Sequence, residues 1–378
     1  MAELHRLQPD QLKLHAALPW DVLDINGMLL LGKGYVVKTD EQLAELLERG
    51  MYVDAVEFRA LESVQVFRQT VYDPLRLMEA IQARLAWLLE ARPRDGSFTG
   101  EVQALATQVR IFTERSPDLA IAAMQLLEQR NYPIAHSFHV AVLAELLACR
   151  AGWDAARREM LSCAALTMNV AMIDLQLSLR NQRDALSPEQ RAAIDDHPAA
   201  AARILMQCGV VDNEWLRAVL EHHETLEGNG YPRHIRNPGE AGLLLRACDV
   251  FSAKISPRAY RKPVNASEAT RFMFVKLGQN KADPFPAMLV KEVGIYPPGT
   301  LVKLANDETG VVFKRGATAK TPVVKVLLSA KGLPQIESAL RDTADAACAV
   351  VAVVSLDKSL IAVDFEQIWC GKRQLVAA

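Results

Sequence analysis

Neither sign of charge dominates this 378-residue chain: 43 Lys and Arg face 45 Asp and Glu, a net charge of minus two. That balance supplies no global attraction to nucleic acid or to an anionic membrane, so an anion site has to be local. Aromatic residues are scarce, at 6%. The basic cluster Arg258, Arg261 and Lys262 has no aromatic platform interleaved with it, which argues against a nucleic-acid groove. The six cysteines, at 149, 163, 208, 248, 348 and 370, show no CxxC spacing and sit mostly in apolar runs, as reduced, buried thiols do. Long hydrophobic runs are missing as well. The longest, Ala346 to Leu356, is about half of what a bilayer crossing needs, and the start, MAELHRLQPDQLKLH, has no apolar signal core. A cytoplasmic protein without a membrane span is expected. Internal repeats and low-complexity segments are absent too.

The length calls for two or three domains. Near the start, LPWDVLDINGMLLL sets an Asn26-Gly27 turn between apolar runs, a hairpin signal. A short helix follows, with Thr39 and Gln42 in capping-box positions and Gly50 at its end. Asp73-Pro74 and Ser116-Pro117 each pair a capping side chain with proline at the first helical position. Ser187-Pro188-Glu189-Gln190 repeats that signal with a capping box, and Asp212 or Asn213 starts a helix through Trp215, Val219 and Leu220. After Tyr296-Pro297-Pro298-Gly299 the period falls to two. TLVKLAND, TGVVFKRG, PVVKVLLS, Ala346 to Leu356 and Leu360 to Phe365 then read as strands. The expectation is a mainly α protein: an α+β module over 1–68, a helical connector over 69–115, a helical domain over 116–295 and a β-rich domain over 296–378.

Residues 222 to 232, His-His-Glu-Thr-Leu-Glu-Gly-Asn-Gly-Tyr-Pro, carry the most chemistry. Two imidazoles and a carboxylate end an apolar helical stretch, and a Gly-rich turn follows at once, placing metal-type ligands beside a phosphate-sized backbone pocket. Gly228 and Gly230 suit either a structural turn or ligand recognition. Further candidates are His136 in HSFHVAVLAELLA, His197 in DDHPAAAARIL and Asp249 in RACDVFSA. His5, His139 and His234 lack ligand context and read as ordinary surface or capping histidines.

These contexts, in order over about 116 to 296, resemble the HD-GYP family, a branch of the HD-superfamily metal phosphohydrolases that degrade cyclic di-GMP. The family's leading HS-x-x-VA helix is matched at His136, and its AALLHDIGK-like run by AALTMNVAM at Ala164 to Met172. Its histidine before a proline is matched at His197, its HHE-x-x-DGxGYP by His222 to Pro232, and its ADVFDA-x-x-x-x-RPYR by Cys248 to Arg261. The resemblance implies an HD-type helical bundle. It makes His136, His197, His222, His223 and Asp249 the metal-ligand positions still able to serve, and puts Gly230, Tyr231, Arg258 and Arg261 at the dinucleotide.

The departures fall together. Met168 stands at the family's ligand histidine, Asn169 at the aspartate that bridges two cations, and Met172 at a lysine that faces phosphate; Glu227 for the usual aspartate is milder. A carboxamide brings no charge, and a thioether is a poor ligand for hard or borderline cations. Two dications without a bridging anion repel by several kcal/mol even when screened. The resulting expectation is a cyclic di-GMP signalling protein, weak or inactive as a phosphodiesterase, acting through nucleotide or through partners such as cyclic di-GMP synthases docked at the GYP turn. Its cofactor is one divalent metal (Fe, Mn or Zn) or none. The alternative is a working phosphodiesterase with a reduced metal centre, using Asp249 or Glu224 to place water. The sequence leaves the oligomeric state open.

Overall fold

A computed structural model describes residues 4–7, 18, 21–37, 39, 42, 51–54, 72–127, 131–182, 184–256, 265–335, 339–354 and 365–370. The chain divides into two compact units, Met1–Asp73 and Pro74–Ala378. In the first, β1 (Leu4–Arg6), β2 (Val22–Leu23), β3 (Leu29–Leu31) and β4 (Tyr52–Asp54) form an antiparallel sheet ordered β1-β4-β2-β3. The Asn26-Gly27 turn joins β2 to β3: Gly27 has a φ of 82°, and Asp24 accepts from the Asn26 and Met28 amides. Leu7, Leu18, Val22, Met51 and Val53 fill one face. The Gln42 amide donates to Thr39 Oγ1, while the helix expected to run on to Gly50 lies outside the described residues.

The second unit opens with α1 (Pro74–Ala91) and α2 (Ser97–Arg115), followed by α3 (Pro117–Leu126), α4 (Tyr132–Arg150), α5 (Ala155–Thr167) and α6 (Ile173–Asn181). Next come α7 (Pro188–Gln207), α8 (Asn213–Glu221), α9 (Glu240–Ile255), α10 (Ala266–Phe272), which runs into a wider turn at Met273–Leu277, and α11 (Phe285–Val293). Two of the caps expected from sequence form, whereas Ser116 makes no side-chain capping bond at the start of α3. Ser187 and Gln190 exchange both capping-box bonds, and Asp212 Oδ1 accepts from the Glu214 and Trp215 amides.

Helix α4 is the axis of the bundle, with α2, α5 and α9 packed around it. Its sequence is apolar on every side, and Tyr132 through Ala148 are all buried. By length and composition it could cross a membrane, but 94% of its most apolar window is buried inside this fold, as in a core helix. The polar residues it carries therefore need partners. Glu145 accepts from Arg158 Nε at 2.8 Å and Ser162 Oγ at 3.4 Å.

His139 corrects the reading of a surface histidine. It is 3% exposed, and its Nδ1 has no hydrogen-bond partner among the described residues. Burial first, and the His136 imidazole second, push its pKa down to about 3. An unfolded histidine takes up its proton near pH 6.5, so this residue costs no stability above that pH and progressively more below it, down to about pH 3. The loss is about 1.4 kcal/mol per pH unit. Urea unfolding at pH 7 and pH 5 should show His139→Leu losing about 2 kcal/mol less than the unmodified chain over that span.

The unit ends in a five-stranded antiparallel sheet ordered β8-β7-β6-β5-β9, from β5 (Leu301–Leu304), β6 (Thr309–Lys314), β7 (Val323–Leu328), β8 (Leu340–Asp342) and β9 (Val350–Val353). The first three match the period-two runs. The run from Ala346 is a strand only in part, because a single tight turn at Ala346–Cys348, capped by Asp345, precedes β9. Residues 355–364, which hold most of the last expected strand, are outside the described set. Arg315 ties this sheet to the bundle through Asp118, at 2.7 Å, and Glu292, and Gln125 Nε2 donates to Pro298 O at 2.6 Å.

Candidate functional site

Local chain chemistry fixes the orientation of two histidines. Pro198 follows His197 inside α7 and has no amide hydrogen, so the carbonyl of Ile194, four residues back, lacks its helical donor. His197 Nδ1 takes that place, donating to Ile194 O at 2.6 Å. At the end of α8 the Val219 carbonyl is one of the last four without a helical partner, and His222 Nδ1 donates to it at 2.6 Å. Both contacts require the ring proton on Nδ1. The Nε2 atoms of His197 and His222 then face each other, 3.2 Å apart, as two bare lone pairs.

Burial keeps that pair neutral. It pushes the His197 pKa down to about 3, helped by His222, and lowers that of His222. His223 completes the cluster: donor nitrogens of His197, His222 and His223 all lie within 4.8 Å of one another. Its ring stacks on Tyr231, with centroids 4.5 Å apart and planes at 22°. Burial, followed by the charge of Asp249, raises the Tyr231 phenol above its usual range, so it stays a hydrogen-bond donor.

Helices α4 and α9 bring His136 and Asp249 together, Nε2 to Oδ1 at 2.8 Å, and Ser252 Oγ donates to His136 Nδ1 at 3.2 Å. Burial pushes the Asp249 pKa up, but the bond from His136 and the imidazoles of His136, His223 and His222 outweigh it and hold Asp249 well below the carboxylate range. His136 is therefore spent on Asp249 and Ser252, whereas His197 and His222 keep Nε2 turned toward each other.

The turn after the histidines is held by buried carboxylates. Both oxygens of Glu224 accept backbone amides, Arg233 N at 2.7 Å and Ile235 N at 3.2 Å, and the residue is fully buried. Glu224 thus holds the turn through one amide on each carboxylate oxygen. Glu221 likewise accepts from Arg217, Arg233 and the Gly239 amide. Glycine is needed at 230 for space: a Cβ there would lie 2.4 Å from Glu224 Cα and 2.4 Å from His223 O. That favours the structural side of the question about this turn. The Tyr231-Pro232 peptide is cis.

A cavity of about 480 Å³ opens beside the cluster, lined by His136, Asn169, His197, His223, Tyr231 and Asp249 at one end. Met172 and Gln176 continue its wall along α6. Asn169 thus stands among the candidate ligands as a neutral amide, while Met168, fully buried, is not part of the lining. Arg258 and Arg261 lie outside the described residues. Tyr132, Gln176 and Ser252 were not legible as site residues: Tyr132 and Ser252 meet His136 only through helical spacing and helix packing, with Tyr132 stacked on it at 5.6 Å.

The donor set fits one divalent ion. Two imidazoles, His197 and His222, have Nδ1 fixed by backbone carbonyls, which is how a protein presents Nε2 to Zn, Fe or Mn, and His223, stacked on Tyr231, adds a third nitrogen. An arrangement that aligns two buried lone pairs at 3.2 Å is relieved by a cation between them.

Residues 110–284 match the HD-domain family, and the chain carries an HD domain. Curated relatives of this chain are named as cyclic nucleotide phosphodiesterases. Cyclic di-GMP phosphodiesterase PA4108 of Pseudomonas aeruginosa is 30% identical over 246 residues, 64% of this chain and 59% of the relative. The 3'3'-cGAMP-specific phosphodiesterase 3 of Vibrio cholerae is 29% identical over 182 residues, 47% of this chain and 39% of the relative. The chain thus spans less than two thirds of the length of these curated relatives. Bd1817, a HDG"Y"P protein from Bdellovibrio bacteriovorus, shares the fold at a TM-score of 0.53 and 18% identity, over 76% of this chain and 98% of that one.

Proposed function

We propose that this chain is a cyclic di-GMP signalling protein that binds nucleotide at a one-metal centre and hydrolyses it weakly or not at all. The observation that carries this reading is a contrast at one cavity: His197 and His223 line it and gather their donor nitrogens with that of buried His222, while the wall also offers a neutral Asn169 where a second cation would need an anion. A divalent ion held by the three histidines would polarise a phosphoryl oxygen as a Lewis acid.

The protein groups account for binding rather than turnover. Tyr231 is kept as a phenol and can donate to a phosphate oxygen. Met172 lines the cavity and gives the phosphates no charge. Asp249 is held by His136, so its bonded oxygen is oriented and partly neutralised. A second reading, hydrolysis by the reduced centre, draws support from the names of the relatives, which are phosphodiesterases.

Calorimetry on the full chain with cyclic di-GMP, together with chromatography of the products, separates the two. The expected result is a binding heat in the micromolar range with little or no linear product. Rapid, metal-dependent linearisation would overturn the proposal.

A further inference from the structure

Helix α9 carries a second charged residue toward the site. Arg246 stands one helical turn before Asp249 and two before Ala253, so the three share a helix face, and Asp249 and Ala253 line the cavity. Arg246 is half-buried, yet it makes no hydrogen bond or ion pair among the described residues. A guanidinium withdrawn from water is ordinarily matched by a carboxylate or by carbonyls, because desolvating an unmatched charge is costly. Its retention here points to an anion that arrives with a ligand.

The groups around it leave that place open. Its positive charge reaches Glu227, Asp283, His223 and Tyr231. Glu227 Oε1 accepts from Asn280 Nδ2 at 2.8 Å and Asp283 Oδ1 accepts from the Phe285 amide at 3.2 Å, but neither carboxylate forms an ion pair with Arg246. Arg191 is the contrast. Its guanidinium lies 5.7 Å from the Tyr231 ring centroid, yet Nε donates to Asp195 Oδ2 at 3.0 Å, so that arginine is already matched. The cavity itself lacks a cation: among the described residues no lysine or arginine lines it, whereas Asp249 and Asp184 do. A phosphate seated at the histidines therefore needs positive charge from beyond the lining.

We infer that Arg246 is the phosphate-binding residue of this site, its guanidinium pairing with an anionic phosphate oxygen of a ligand held at His197, His222 and His223. The inference rests on the nucleotide-binding reading and adds to it the protein cation that the cavity lining does not supply. A flexible stem one helical turn from Asp249 lets the charged head swing toward the cavity, and the two parallel N–H donors of its planar fork match two phosphate oxygens.

The test is calorimetric titration of the full chain and its Arg246→Gln variant with cyclic di-GMP and with inorganic phosphate, alongside metal analysis and thermal unfolding of both proteins. The glutamine variant should keep its metal and lose affinity for both probes by about tenfold. An arginine that serves only to balance Glu227 and Asp283 would lower the unfolding temperature on substitution and leave both affinities unchanged; that result overturns the inference while leaving nucleotide binding intact. A loss confined to cyclic di-GMP overturns it as well, because it would put Arg246 on another part of the ligand. If Arg246→Gln does not fold, phenylglyoxal labelling of the unmodified chain, read by mass spectrometry, decides. Arg246 should react in the free chain and be protected by saturating cyclic di-GMP, and equal labelling with and without nucleotide overturns the inference. No binding of cyclic di-GMP by the unmodified chain overturns both readings.

Discussion

Met168→His combined with Asn169→Asp should raise the bound divalent metal from one to two per chain and cyclic di-GMP hydrolysis by about a hundredfold or more. Asn169 already faces the cavity that His136, His197, His223 and Asp249 line, so an aspartate there adds an anion where two cations could share it. Met168 is fully buried at the end of α5, and an imidazole of similar volume replaces it without opening a void. The rate expectation follows from the size of the missing contribution. Stabilising transition-state charge with a paired metal clamp is worth several kcal/mol, and each 1.4 kcal/mol is about tenfold in rate. Metal analysis and product chromatography on the double variant check it. A folded variant that still holds one ion would mean that the surrounding ligands no longer have the spacing for two.

Gly230→Ala is expected to destabilise the second unit by about 3 kcal/mol and to weaken both metal and nucleotide binding. The added methyl would meet backbone atoms of His223 and Glu224, which cannot rotate away as a side-chain tip could. Relief requires moving the turn. That turn sets Tyr231 against His223 and hands the Arg233 and Ile235 amides to Glu224, so the shift reaches the histidine cluster directly. Denaturant unfolding measures the first effect and calorimetry the second. An alanine variant with unchanged stability would show that the close approach at residue 230 is not maintained in solution.

Local signals made much of the fold readable. Proline after a capping residue marked the starts of α1, α3 and α7, the Asn26-Gly27 pair marked the first hairpin, and the change of period after Gly299 marked the terminal sheet. Length and apolar content could not distinguish the strand at Val350–Val353 from the tight turn before it, because Asp345 caps that turn through a local bond. At the site, ligand types were readable from motif context, yet their states were not. The sequence shows His-Pro at 197 and 198, but only the helix shows that this proline frees the carbonyl which orients the ring. Glu224 stands beside two histidines in the sequence, and the loop whose amides bond its two oxygens closes only in three dimensions. His139 was misread for a related reason: a histidine one turn from a ligand position looks peripheral until α4 is seen to be buried on every side.

The central claim is that this cavity assembles one metal ion and not two. Counting divalent metal per chain in the unmodified protein, purified without chelator and given excess Fe, Mn or Zn in turn, tests it most directly. One equivalent, lost on His197→Ala, is the predicted result. Two equivalents held by the chain with Met168 and Asn169 in place would contradict it.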